Sequence, residues 1–144
     1  MFKRVVVPVD GSEIAATILP FIVPIAGPLD FEITLVRVVP SSEPDSAFLE
    51  ARRYLEGVAA ELQGKGVRAA IDVRRGSPLG NPTEAILACA RDNAADLIAM
   101  TTRGKGALAD VVLGSVARAV LHSAPVPVFL FRHVDRSPAH DQAR

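Results

Sequence analysis

One cysteine, Cys89, stands in a chain of 144 residues. A single thiol excludes an internal disulfide framework and fits a reducing compartment, so the expected location is cytoplasmic. Aromatic residues make up only 5% of the chain, against 49% hydrophobic residues overall, so the core has to be aliphatic and rich in alanine. Formal net charge is zero and no long basic run occurs, which leaves a nucleic-acid surface without electrostatic support. No apolar stretch approaches the ~20 residues that span a bilayer. The opening "MFKRVVVPVDGS" places basic residues before an apolar run. That run is short and reads as a buried strand rather than the core of a signal peptide. Neither nucleic acid nor a membrane is an expected partner. The length suits one domain.

What the chain does have is a regular alternation. "RVVVPV", residues 4 to 9, is β-branched and reads as a buried strand. In "DGSEIAATILPFIVPIA", Ser12 is a plausible N-cap and Glu13 a first-turn acid. Pro20 and Pro24 oppose a regular helix there, so a kink or an early end is expected. "FEITLVRVVP", residues 31 to 40, is the second strand, and "SSEPDS", residues 41 to 46, a loop. Phe48, Ala51, Leu55, Val58 and Leu62 then recur three and four apart, the period of a helix, with Gly64 and Gly66 ending it. "VRAAIDVRRG" is a more polar strand suited to a sheet edge. After "SPLG", Asn81-Pro82-Thr83-Glu84 is a helix start, with the proline at the first helical position. That helix is expected to run to Asn93. "ADLIAMTT" follows as a strand, then a glycine segment, a helix over 115–122 and a last strand, "PVPVFLFR". Residues 133–144 are polar and aperiodic and read as a frayed tail beyond a domain of residues 1–132.

Strand and helix alternate throughout, which argues for an α/β fold: a single-domain, five-stranded parallel sheet with helices on both faces. In strand order 3-2-1-4-5, connections reverse between the first and fourth strands, and ligands bind outside the carboxyl ends of the strands at such a switch point. Asp10 lies at the first end, and Thr101, Thr102 and Arg103 lie at the second.

The glycine segment "TTRGKGALADVVLGSVARAV" therefore falls where this architecture takes a ligand. Gly104 and Gly106 permit tight turns, and Gly114-Ser115 opens a helix whose free N–H groups and dipole suit an anion. Arg103 and Lys105 add positive charge. A dipole end is worth only ~0.3–1 kcal/mol per exposed charge, whereas micromolar binding needs roughly 8 kcal/mol. The remainder has to come from burying a flat organic group, with Val9, Val38 and Met100 as candidate lining. Those demands point to a nucleotide rather than bare phosphate. Gly104-Lys105 is followed by Gly106, so the segment is not a P-loop, and "DGSEIA" lacks a dinucleotide fingerprint. Asp10 also lacks the acidic partners of a phospho-acceptor site.

Nine residues separate Gly104 from Gly114-Ser115, and "VARAVLHSAPVPVFLF" follows. This pattern resembles the universal stress protein family, whose nucleotide motif is G-x-x-G-x9-G-[ST]. Gly104, Gly114 and Ser115 match, and Thr101 stands at the first glycine position. "VVVPVDGSE" resembles the family's first strand with its aspartate at Asp10. "TLVRVV" resembles the second strand, whose end contacts adenine and maps to Val38. The resemblance covers the chain to about Arg132, with "SPLG" as a short insertion. It implies a Rossmann-like fold of the adenine nucleotide alpha-hydrolase type, ATP or another adenine nucleotide as ligand with Mg2+ as an optional companion, a stress-response role and a homodimer. The full nucleotide-binding set is then Pro8, Val9, Asp10, Val38, Met100, Thr101, Arg103, Gly104, Lys105, Gly106, Gly114, Ser115 and Val116.

Each of these residues has a plainer reading. Asp10 serves equally as a helix-start acid, Ser115 as an N-cap, and Arg103 and Lys105 as solvated loop charges. Cys89 is read as core packing, His122 as a charge at a helix end, and His133 and His140 as tail residues without a metal. No Ser-His-Asp order, metal cluster or acid pair surrounds the glycine segment, so catalysis beyond slow ATP hydrolysis has no support. Three classes stay open: a nucleotide-binding module, a slow ATP hydrolase, and an interaction module that binds no nucleotide. The last strand carries Val126, Val128, Phe129, Leu130 and Phe131 at an edge, with charge absent until Arg132. Antiparallel pairing of two copies would cover that edge, and a tail folded back over it is the competing arrangement.

Overall fold

The computed structural model describes residues 3–9, 19–78, 81–101 and 114–131. Among them the order is β1 (Arg4–Pro8), α1 (Leu19–Ala26), β2 (Glu32–Pro40), α2 (Asp45–Gly64), β3 (Arg68–Gly76), α3 (Thr83–Asp92), β4 (Leu97–Thr101), α4 (Ser115–Ser123) and β5 (Val128–Phe131). The strands form one sheet of order β3-β2-β1-β4-β5, parallel throughout. This is the doubly wound arrangement that the alternation predicts. The expected helix start at Ser12 and Glu13 and the tail 133–144 lie outside the described residues.

Side-chain alternation sorts the core onto two faces. Val5, Val7, Ile33, Leu35, Leu97 and Ala99 pack beneath α1 and α2, against Ile22, Ala26, Leu55, Ala59 and Leu62. Val6, Val36, Ile98 and Met100 pack beneath α3 and α4, against Ile86, Leu87, Cys89, Ala90, Ala117 and Val120. Every residue of β4 is buried, as a strand covered on both faces requires.

Three local expectations shift. Pro20 and Pro24 do not end α1, which continues to Ala26. The bond that Pro24 cannot donate would have gone to the carbonyl of Pro20, and the helix resumes its ladder with Gly27 donating to the carbonyl of Val23 at 3.2 Å. α3 begins at Thr83, so Pro82 occupies the N-cap position, and the Asn81 side-chain oxygen accepts from the Thr83 amide at 3.0 Å. In the last strand the ladder starts only at Val128, beyond both Pro125 and Pro127. Pro127 has no N–H to give, yet its carbonyl accepts from the Ile98 amide at 3.0 Å.

Helix ends that face β3 and β4 close in the same way. At α2, Val67 donates to Leu62 and Gly66 to Gln63, both at 3.0 Å, with Gly66 at φ 83°. At α3, Ala95 donates to Ala90 at 2.9 Å and Ala94 to Arg91 at 3.1 Å, with Ala94 at φ 50°. Both are Schellman closures, the first on the glycine that the left-handed position favours and the second on alanine.

Candidate functional site

The two central strands are joined at one end and separate at the other. At the amino end, the Asp96 carboxylate accepts from the backbone amides of Lys3 at 2.9 Å and Arg4 at 3.0 Å. Those two hydrogen bonds hold its pKa below the usual carboxylate value. The Asp96 amide returns a bond to the carbonyl of Arg4 at 2.8 Å. The β1–β4 ladder then covers Val5 and Val6, opposite Leu97 and Ile98. β1 instead follows β2 as far as Pro8, opposite Val36, and Val9 still donates to the carbonyl of Val36 at 2.8 Å. The carboxyl ends of β1 and β4 thus run on past their shared ladder at the switch point, where the sequence places its candidate crevice.

Three of the residues expected at this crevice come together on one face. Val38 from β2, Met100 from β4 and Val116 from α4 all belong to the cluster beneath α3 and α4. Met100 is buried, while Val38 and Val116 are half-buried at its margin. Val9 is separated from them: its side chain is buried in the cluster on the opposite face. Pro8 is half-buried at the end of β1, and Thr101 is buried at the end of β4, opposite Phe131. Asp10, Arg103, Gly104, Lys105 and Gly106 lie outside the described residues.

Gly114 and Ser115 divide the helix start between them. Gly114 is the N-cap, with φ −58° and ψ 154°, and Ser115 is the exposed first residue of α4. The first helical bond runs from the Arg118 amide to the Gly114 carbonyl at 2.9 Å. The amides of Ser115, Val116 and Ala117 therefore have no acceptor within the helix, the arrangement that suits an anion. Val116 adds an apolar side chain beside those amides, so polar donors and an apolar wall adjoin at one helix end.

A polar cluster that the sequence reading passed over ties β3 to α3. Arg74 donates to Asp72 Oδ2 through Nε at 3.0 Å and Nη2 at 2.9 Å, and its Nη1 meets Asp92 at 2.8 Å. The Asn93 side chain donates through Nδ2 to Asp72 Oδ2 at 3.2 Å and to the Cys89 carbonyl at 2.9 Å. Burial, with the neighbouring Asp72 charge, pushes the Cys89 thiol up to about 12. A thiol held protonated and out of solvent fits core packing, as the sequence suggests, and is a poor nucleophile. Alternation in "IDVRRG" puts Asp72 and Arg74 on one face, but their partners on α3 come from far along the chain.

Comparison with known proteins follows the same outline. The profile of the universal stress protein family matches residues 1–132. A universal stress protein of Thermus aquaticus is 36% identical over 139 residues, covering 92% of this chain and 100% of that protein. One from Methanocaldococcus jannaschii is 30% identical over 145 residues, covering 92% of this chain and 83% of that protein. Among solved structures, the hypothetical protein MJ0577 superposes with a TM-score of 0.82 at 26% identity, over 95% of this chain and 99% of that one. A universal stress protein from Archaeoglobus fulgidus in complex with dAMP gives 0.70 at 22%, over 90% and 97%. A universal stress protein in complex with cAMP gives 0.68 at 21%, over 92% and 98%. These last two likenesses are of fold.

Proposed function

Because this chain belongs to the universal stress protein family, we propose that it binds an adenine nucleotide, ATP in the first instance, between the carboxyl ends of β1 and β4. The observation that carries this reading is the meeting of Val38, Met100 and Val116 in one apolar cluster beside the open amides of α4. A flat base needs such a wall, and a phosphate chain needs such donors. The dAMP and cAMP complexes of the two related folds support the same ligand class. In this reading Asp10 and Val38 hold the nucleoside, while Gly104 and Ser115 hold phosphates, with Arg103 and Lys105 adding charge. Thr101 stands where the family motif has its first glycine, and its backbone faces the ribose. Mg2+, as an optional companion, would be carried on the phosphate oxygens, the hard ligands it prefers. The role is that of a stress-response or signalling module without fast chemistry, resident in the cytoplasm and dimeric through β5.

Calorimetry with ATP on the wild type and Gly114→Val tests the assignment. The backbone of Gly114 lies at angles open to any residue, so valine demands no change of backbone there. ATP affinity should fall by at least about tenfold. A folded Gly114→Val protein with wild-type ATP affinity would overturn the site.

A further inference from the structure

Gly76 ends β3 opposite Pro40 on β2. Its φ is not among the positive values of the described residues, so the strand conformation does not demand glycine. Space does. A Cβ added there would come 2.7 Å from Val38 Cγ1, with the Asn81 carbonyl oxygen at 3.5 Å and that of Val39 at 3.9 Å. Carbon atoms in contact settle at about 3.5–4.0 Å. A methyl group at position 76 therefore has to displace Val38.

The surroundings give that displacement a direction. Val38 stands opposite Arg74 in the β2–β3 ladder. Arg74 is held in that place by Asp72 and Asp92. β2 lies between β3 and β1. Movement away from Gly76 is movement toward β1, the side on which the proposed site lies. Valine is stiff about its first torsion, so the side chain shifts or turns as a unit.

We propose that Gly76 is a positioning residue for nucleoside recognition: by leaving room for the Val38 γ-methyl, it sets the width of the slot open to the base. The inference rests on the reading of the crevice as an adenine-nucleotide site. Gly76 touches no ligand and acts through Val38 alone.

Calorimetric titration of adenosine and of ATP into wild type, Gly76→Ala, Val38→Ala and the double variant tests it. Gly76→Ala should weaken adenosine and ATP by the same factor, about tenfold. In the Val38→Ala background, alanine at 76 should cost nothing further, because the methyl group it displaces is gone. If Gly76→Ala alone does not fold, the comparison between Val38→Ala and the double variant decides: equal adenosine affinities support the role, and a tenfold gap overturns it. Unchanged adenosine affinity in folded Gly76→Ala also overturns it. So does a larger loss for ATP than for adenosine, the sign of general distortion. A wild-type protein that binds neither compound removes the nucleotide reading, and this role with it. Wild-type binding with an insensitive Gly76→Ala removes only this role.

Discussion

The two edges of the sheet are built to opposite rules. β3 presents charge on both faces. Arg74 reaches Asp72 and Asp92 on the side of α3. Arg75, its neighbour, turns to α2, where it meets Asp45 at 2.8 Å, donates to the Glu43 carbonyl at 2.8 Å and lies 5.1 Å from the centre of the Phe48 ring. Arg68 bonds Asp30 at 3.0 Å near the start of the same strand. β5 is four residues long and wholly apolar, with Phe129 47% exposed. Its aromatic rings adjoin: Phe129 lies 4.8 Å from Phe131, and Phe131 lies 5.6 Å from Phe21 on α1. Charge along an edge deters a foreign strand, while a bare apolar edge invites one. Among the described residues, then, paired charge lines one edge of the sheet and apolar side chains line the other.

Breaking the apolar edge should have the largest effect. Phe129→Asp places a carboxylate on the exposed side of β5, and light scattering should show the mass of the proposed dimer fall to that of the monomer with the circular dichroism spectrum retained. A wild type that scatters as a monomer at high micromolar concentration removes the dimer instead.

Breaking the charged edge should cost stability rather than assembly. Arg74→Met leaves Asp72, whose side chain is only 21% exposed, without its main donor. Thermal unfolding should register a loss of roughly 1–3 kcal/mol. The acid limb identifies the cause. Burial pushes the Asp72 carboxyl up, but hydrogen bonds from Arg74, Cys89 and Asn93 outweigh it and leave its pKa below the ordinary 3.8. A carboxyl depressed by folding adds stability above 3.8 and loses it as pH falls toward the folded value. The gap between wild type and Arg74→Met should therefore narrow on acidification through that range. A gap that stays constant assigns the loss to packing of the arginine stem.

The smallest effect sharpens the anchoring of the same edge. Ala94, next to Asn93, holds φ 50°, where a Cβ is strained. Ala94→Gly should raise the urea midpoint by an amount worth up to about 1 kcal/mol. A lowered midpoint would mean that the backbone entropy of glycine outweighs the strain relieved.

Much of this was legible in the chain. The strands announce themselves as short β-branched runs, and the alternation with helices leaves a parallel sheet as the arrangement that covers both faces. Val38 and Met100 are found by looking at strand ends and Val116 by the family resemblance, and the structure puts all three in one cluster. Period-two alternation would also have assigned Val9 to the face of Val5 and Val7, away from that wall, had faces been weighed along with ends. Pro20 and Pro24 misled because, within the described helix, the loss at Pro24 is a single bond to the Pro20 carbonyl, and the ladder resumes at Gly27. Asp72, Arg74, Cys89 and Asn93 could not be joined by eye, because their meeting depends on how α3 is laid across β3, which no local pattern encodes.

The joint between β1 and β4 behaves mechanically like a hinge with its pin at one end. From Asp96 as far as Val6 and Ile98, separation would tear backbone hydrogen bonds; past that pair, Met100 meets its neighbours through side-chain packing. Dispersion forces are soft and restore themselves at a new spacing, whereas a backbone hydrogen bond tolerates little stretch. The crevice is therefore the compliant line of an otherwise stiff sheet. An object placed there would disturb side-chain packing before it disturbed the ladder.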